Sequence, residues 1–344
     1  MKHYQKKHKK NPIKVGINGF GRIGRMVTRL IHQTENIKVN MINTNFTDIS
    51  QIAYLMKYDT CHGAYPGKVY TKENKLYIND HEIQLSKCIN PEDIPWKNID
   101  CVIDCTGKFR DYSGLSRHNV KKVILSAPSK NDDVPMIVMG VNDDIIHNNS
   151  INQNILSIAS CTTNCVAPIV KLLDQEYGIT EGIITTVHAA TASQNVVDSR
   201  EKSGKKWRIG RSILNNIIPS TTGATKSVER VYPNVKGKLS GTSIRVPVDN
   251  VSLATLTVHL DKATNKDEIL KMVQKYSEGE MQNILSYTTE LLVSSDLNGN
   301  THSCIYDANG TVQVNENFYT FLCWYDNEWG YSSRLVDVLQ KMFQ

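Results

Sequence analysis

The most restrictive feature of this chain is a glycine-rich turn set between a strand and a helix near its start. Ile13, Val15 and Ile17 alternate as a short strand, residues 16–25 read GINGFGRIGR, and Ile23, Met26, Val27, Leu30 and Ile31 recur along one helical stripe. Gly19, Gly21 and Gly24 fit the pattern G-x-G-x-x-G. In that pattern the first glycine makes the tight turn, the second lets the backbone approach a pyrophosphate, and the third lets helix and strand pack closely. A helix starting near Arg22 aims its free N–H groups and positive dipole end at that pyrophosphate. The bare pattern is weak, but a strand before it and an amphipathic helix after it give it weight. The turn predicts a dinucleotide site.

Further short apolar runs follow at Ile37–Asn43 and at residues 100–105, 121–127, 135–141 and 155–159. Strands interleaved with helices predict a mainly parallel sheet covered on both faces. After about residue 160 the texture changes. Residues 251–260 (VSLATLTVHL) alternate as a half-buried antiparallel strand, with 290–295 and 318–325 as its expected partners. Thr264 and Asp267 suggest a capping box for a helix ending near Gly279, and Leu335, Val338, Leu339 and Met342 give a C-terminal helix one apolar face. The expected organisation is a tail at 1–12, an α/β Rossmann-type dinucleotide-binding domain at 13–160 completed by a helix at 331–344, and an α+β catalytic domain with a largely antiparallel sheet at 161–330.

A length of 344 residues suits two such domains. No apolar run approaches the roughly 18 residues that span a bilayer. Of the net charge of +6, five charges come from the lysines of residues 1–10, leaving the body nearly neutral. A nucleic-acid-binding body would spread Lys and Arg over one face, so neither a nucleic acid nor a membrane is expected as a dedicated partner. The tail lacks the apolar segment of a secretory signal and reads as a solvated start. Eight cysteines without a CxxC pair argue against a disulfide scaffold and a zinc knuckle, and fit a reducing cytoplasm.

Residues 157–165 read SIASCTTNC, after an apolar strand and before the apolar run from Val166 to Leu173. Cys161 therefore falls at a helix N-terminus, where the dipole favours a thiolate. Ser160, Thr162 and Thr163 supply donors for an oxyanion or a phosphate, while Cys165, a turn further in, reads as a packing thiol. His188 ends a strand in TTVHAATASQ, where its side chain can leave the sheet and meet a helix start. A histidine there stabilises thiolate as imidazolium and then exchanges protons with a substrate.

Taken together, GINGFGRIGR, YDTCHG (58–63), SCTTNC (160–165), HAAT (188–191), STTGATK (220–226), IRVP (244–247) and WYDNEWGYS (324–332) closely resemble the phosphorylating glyceraldehyde-3-phosphate dehydrogenase family, in family order from residue 13 onward. TGKF (106–109) and APSKNDDV (127–134) are similar to its anabolic, NADP-using bacterial branch. The resemblance implies oxidation of D-glyceraldehyde 3-phosphate with inorganic phosphate to 1,3-bisphosphoglycerate, or the reverse, in glycolysis or gluconeogenesis, with NAD or NADP as cofactor. It implies Cys161 as nucleophile and His188 as base, Thr191 and Arg245 on the substrate's C3 phosphate, and Ser160, Thr162, Thr222 and Gly223 on the attacking phosphate. Gly19, Gly21, Arg22, Ile23, Gly24, Thr44, Thr106, Gly107, Ser126, Asn327 and Tyr331 fall to the cofactor. No metal is implied, and residues 190–217 match a loop that reaches a neighbouring subunit of a homotetramer.

Three departures stand out. Thr44 occupies the place where NAD-preferring members carry Asp, whose carboxylate binds the ribose hydroxyls and repels a 2′-phosphate. Ile158 replaces the usual Asn before the nucleophile. Residues 199–208 (SREKSGKKWR) are longer and more basic than common versions, and Lys202, Lys205, Lys206 or Arg208 is expected either to lie solvated or to favour a 2′-phosphate. Two rival activities share these motifs: erythrose-4-phosphate oxidation, and a binding role on a catalytically vestigial fold.

Overall fold

The computed structural model describes residues 11–73, 75–147, 154–200 and 207–344. Most of the basic tail, and with it Lys202, Lys205 and Lys206, lies outside the described residues. The first half builds an eight-stranded sheet from β1 (Ile13–Asn18), β2 (Ile37–Asn43), β3 (Val69–Lys72), β4 (Lys75–Ile78), β5 (His81–Ser86), β6 (Cys101–Asp104), β7 (Lys122–Leu125) and β8 (Ile155–Ser157). Their order is β3-β4-β5-β2-β1-β6-β7-β8. The six strands from β5 to β8 are parallel, and β3 and β4 add an antiparallel edge. The chain leaves β1 toward β2 and returns on its other side as β6, so a crevice opens at the carboxyl ends of these strands.

The second half builds a seven-stranded sheet from β9 (Ile179–His188), β10 (Ile218–Ser220), β11 (Leu239–Arg245), β12 (Ser252–Leu260), β13 (Leu285–Thr288), β14 (Cys304–Gln313) and β15 (Phe318–Tyr325). The order is β10-β11-β9-β12-β15-β14-β13, antiparallel except for the β9–β11 and β13–β14 pairs. Along the chain run α1 (Arg22–Ile31), α2 (Ile49–Lys57), the single turn α3 (Tyr112–Leu115), α4 (Cys161–Tyr177), α5 (Ala224–Val231), α6 (Lys266–Glu278) and α7 (Trp329–Met342). Helix α4 buries Cys165, Val166, Ile169, Val170 and Leu173 against the second sheet. Helix α7 returns to the first sheet, placing Tyr331, Leu335, Val338, Leu339 and Met342 in one core with Val15, Ile17, Val27 and Ile31.

Three sequence expectations change. Residues 135–141 make only a single bridge, Met136 to Ser157, because Asn142 closes the segment by accepting from Val138 N and donating to Met136 O. Residues 290–295 are not a strand: Asp296 accepts from Val293 N and curls the chain into a short 3-10 turn, so the second neighbour of β12 is β9. The cap of α6 is Asn265, which accepts from Glu268 N, while Thr264 donates to the Glu268 carboxylate.

One ion cluster ties the two helices that begin at the crevice. Arg22, the first residue of α1, donates to Glu328 at the start of α7 (Nε to Oε1, 2.7 Å) and to Asp59 (Nη2 to Oδ1, 3.1 Å). His62 meets the same Glu328 carboxylate at 3.1 Å. Burial alone would raise the Glu328 carboxyl, but the hydrogen bonds from Arg22 and His62 and the guanidinium charge overcome it and hold the group below its ordinary range. A carboxylate depressed in the folded state stabilises fully above its unfolded pKa of about 4.3 and loses that contribution as pH falls through the lower folded value. Glu328→Gln should therefore lower Tm at pH 7 and flatten its fall below about pH 4.3. Thermal unfolding of both proteins across the acid range checks this, and parallel curves would remove the carboxylate from the account.

Candidate active site

The glycine turn is built as its residue types require. Gly19 has φ +94, a Cβ on Gly24 would run into the Gly19 carbonyl, and a Cβ on Gly21 would meet nothing within 4 Å. Helix α1 starts with no side-chain cap and no acid in its first turn, which leaves its leading N–H groups free for an anion. The Arg22 side chain is committed to Asp59 and Glu328, so what it can offer a pyrophosphate is its backbone N–H.

The turn borders a cleft of about 590 Å³ lined by Gly19, Gly21, Asn43, Thr44, Asn45, Lys87, Thr106, Lys108 and Phe109, among others. Beneath it runs a string of hydrogen-bonded polar side chains drawn from neighbouring strands. Ser86 Oγ donates to Asn43 (2.8 Å), Asn43 to Asn18 (2.8 Å), and Asn18 to Asp104 (2.8 Å), while His118 meets Asp104 at 3.0 Å. Asp104 also accepts from the amide and hydroxyl of Thr106, and Gly107 follows with φ +64. Ser126 N donates to the Asp104 carbonyl at 3.0 Å, at the end of the neighbouring strand β7. Ile23 packs against the first core. The lining of this cleft carries no carboxylate, and two lysines, Lys87 and Lys108, stand in it. A dinucleotide, two negative phosphates on an elongated body, fits that donor set.

Cys161 is the first residue of α4, capped by Ser160, whose Oγ accepts from Thr163 N at 3.1 Å. Cys161 Sγ lies 3.5 Å from Nε2 of His188, the last residue of β9. Arg245, the last residue of β11, is the register partner of His188, and its Nη1 lies 2.7 Å from His188 Nδ1. Burial pushes the thiol up, against the pull of Arg245 and the Thr162 N–H. Burial, then the charge of Arg245, pushes His188 down to about 4. The imidazolium expected from sequence is thus opposed in this arrangement, because the nearest full charge is another cation.

The remaining candidate residues are each anchored by bonds of their own. Thr191 Oγ1 bonds Ser193 and Gln194, and Thr222 Oγ1 accepts from Ala224 N beside Gly223 at the start of α5. Thr162 turns its hydroxyl inward to Tyr325 at 2.9 Å, leaving its backbone to face the site. Asn327 is buried and accepts from Ser252 at 2.7 Å. Tyr331 is also buried, and its hydroxyl donates to the Ala159 carbonyl at 3.0 Å, so it braces the loop before Cys161. Ile158 is fully buried in the first core, and the hydrogen bonding there comes from Asn164, which donates to the carbonyls of Ile158 (2.7 Å) and Ser160 (2.9 Å). The roles of Asn164, Lys87 and Lys108 went unread, although Asn164 lies one helical turn after Ser160, where such a bond is local.

A dinucleotide cleft beside a Cys–His pair defines a cofactor-dependent oxidoreductase of the aldehyde-oxidising kind. The chain belongs to the glyceraldehyde 3-phosphate dehydrogenase family: the family's NAD binding domain model matches residues 13–112 and its C-terminal domain model matches residues 160–327. It is 45% identical over 333 residues to glyceraldehyde-3-phosphate dehydrogenase 1 of Kluyveromyces lactis (95% of this chain, 99% of the relative). It is 46% identical over 338 residues to the Nostoc sp. enzyme of that name (96% and 97%). It is 45% identical over 337 residues to glyceraldehyde-3-phosphate dehydrogenase 3, cytosolic, of Zea mays (96% and 98%).

If the pair acts as its geometry suggests, Cys161→Ser should lose aldehyde oxidation by several orders of magnitude while cofactor binding survives, because an alkoxide forms far less readily than a thiolate. His188→Asn should keep the fold and lower turnover by roughly 10²–10⁴-fold, the range for losing a positioned base. Steady-state rates beside cofactor titration check both, and near-normal turnover of Cys161→Ser would sink the assignment.

Proposed function

We propose that this chain oxidises D-glyceraldehyde 3-phosphate with inorganic phosphate to 1,3-bisphosphoglycerate, reversibly, through a thioester on Cys161. The observation that carries the proposal is the 3.5 Å approach of Cys161 Sγ to His188 Nε2 at the start of α4, beside a dinucleotide cleft. Cys161 attacks the aldehyde carbon, and His188 takes the proton of the resulting hydroxyl. Bound in the cleft, the nicotinamide supplies the hydride acceptor. Asn327, fixed by Ser252, is suited to orient its carboxamide. Arg245 and Thr191 hold the C3 phosphate, the former with a forked cation whose charge persists at any working pH. Ser160, the backbone of Thr162, Thr222 and Gly223 hold the inorganic phosphate that attacks the thioester. A second anion site beside Cys161 favours an acyl phosphate over a carboxylate product. Turnover of D-glyceraldehyde 3-phosphate with phosphate, set against erythrose 4-phosphate, tests the substrate.

The assembly is proposed to be a homotetramer. Val196, Val197, Trp207, Leu214 and Ile217 stand exposed on the long polar and basic loop, and a partner subunit would cover them. Light scattering at micromolar concentration should report four chains, and a monomer would contradict the proposal. The setting is proposed to be the cytoplasm, in keeping with eight free cysteines; among the described residues no helix is long and apolar enough to cross a membrane.

For the cofactor we propose acceptance of both NAD and NADP with a modest preference. Thr44 offers a neutral hydrogen bond but no repulsion of a 2′-phosphate. Lys87 follows β5 directly, where Thr44 N donates to Ser86 O at 3.0 Å, so a cation stands beside the place where an acid usually sits. A lost charged hydrogen bond costs NAD about 1.5–3 kcal/mol, or roughly 10- to 100-fold in affinity. Thr44→Asp should shift the NAD/NADP ratio of kcat/KM toward NAD by about tenfold or more. A wild type that ignores NADP would show this reading of Thr44 to be wrong.

A further inference from the structure

The surroundings of His188 offer its Nδ1 two partners that cannot be satisfied together. Nδ1 lies 2.7 Å from Arg245 Nη1 and 2.8 Å from the Ala189 carbonyl oxygen, and Arg245 Nη1 lies 3.0 Å from that same oxygen. A guanidinium only donates. While Arg245 donates to Nδ1, that nitrogen is a bare acceptor, the ring proton sits on Nε2, and Nε2 presents a donor to Cys161 Sγ. In the alternative, Nδ1–H donates to Ala189 and Nε2 turns a lone pair toward the thiol. Two N–H groups cannot then meet at 2.7 Å, so Arg245 must withdraw. Only the second arrangement can take a proton from Cys161 or from a substrate hydroxyl.

We propose that Arg245 gates the base: without ligand it holds His188 in the tautomer that cannot accept a proton, and a phosphate dianion draws the guanidinium off Nδ1 and frees Nε2. The proposal rests on the assignment of Arg245 to the substrate's phosphate. A dianion offers paired charged acceptors that a guanidinium fork matches far better than one neutral ring nitrogen, so the ligand supplies the differential affinity that the shift requires. The other titratable groups against the ring are Cys161 and Tyr325, whose ring stands edge-on at 6.0 Å. Among the described residues no carboxylate bonds the imidazole, so Arg245 and Ala189 set its tautomer. His188 is then committed only when an aldehyde bearing a phosphate is in place.

Alkylation of Cys161 by neutral iodoacetamide at pH 7 reads the base without aldehyde or cofactor. Saturating phosphite, a phosphate-sized dianion, should speed alkylation of the wild type by about tenfold or more, a fraction of the roughly 10²–10⁴ that a positioned base contributes. Arg245→Met should alkylate at that raised rate without phosphite and not respond to it. An Arg245 that acts only as a charge gives the opposite signs. As a cation it favours the thiolate, so masking it with an anion or deleting it would slow the reaction. Slower or unchanged alkylation with phosphite overturns the gate, and that arm uses the wild-type chain, so a misfolded variant does not excuse it. Oxidation of D-glyceraldehyde 3-phosphate by the same preparation separates the two readings. Turnover without a phosphite effect removes the gate and leaves the reaction. A phosphite effect without turnover keeps the gate and removes the reaction.

Discussion

The site depends on the five residues 157–161, over which the chain leaves one sheet and enters the core of the other. Ala159 sits there with φ +58, a left-handed backbone that costs a non-glycine residue on the order of 1 kcal/mol or more. The surroundings hold it in place. Tyr331 reaches from α7 to the Ala159 carbonyl, Ser157 Oγ accepts from Ala159 N, and Asn164 clasps the carbonyls on either side. Because Tyr331 stands on the helix that Arg22 ties to the glycine turn, the loop before Cys161 and the start of the dinucleotide cleft are braced by one helix. A buried isoleucine at 158 is compatible with this, since its side chain joins the apolar core and only its carbonyl is used by the clasp.

Within that frame, burial decides the resting chemistry. A thiol and an imidazole at 3.5 Å can exist as a neutral pair or, after one proton transfer, as an ion pair. Desolvation disfavours the charged form of each, and a cation bonded to the imidazole weighs further against imidazolium. The helix start and the Thr162 N–H pull the other way, toward thiolate. The balance therefore turns on where the guanidinium of Arg245 sits, on the strand next to that of His188.

Much of this was legible in the sequence, and what was not has identifiable causes. Periodicity found β1, α1, β12 and α7, because their apolar faces pack on cores large enough to impose a 2.0 or 3.6 repeat. It fails at residues 135–141, buried but outside any ladder, and at 290–295, where Leu291 and Val293 stand exposed, because Asn142 and Asp296 bond the backbone locally. The cap of α6 was placed one residue early because Thr264 and Asn265 both suit the position, and only the Glu268 amide decides between them. Cys161 and His188 could be paired because each ends or begins an element. The polar string from Ser86 to His118 could not be, since its members come from separate strands and loops whose order is a property of the sheet.

The cofactor cleft makes the same point about adjacency. Along the chain Thr44 and Lys87 are separated by a helix and three strands, and nothing in their spacing links them. The order β5-β2-β1 sets them side by side at the carboxyl ends of neighbouring parallel strands. Asn43 locks that edge, because its side-chain Oδ1 accepts from Ser86 Oγ and from Cys88 N, on both sides of Lys87. The backbone around Lys87 is therefore fixed by part-buried hydrogen bonds while its side chain is exposed, with Nζ resting 6.0 Å over the Phe46 ring. A cation on a rigid stem whose competing contact is a weak one can turn toward a 2′-phosphate without undoing any part of the fold. On the cofactor reading proposed above, discrimination would rest on half-buried Thr44 and exposed Lys87 at the rim, where one substitution changes the charge without touching the bonds that hold the strands together.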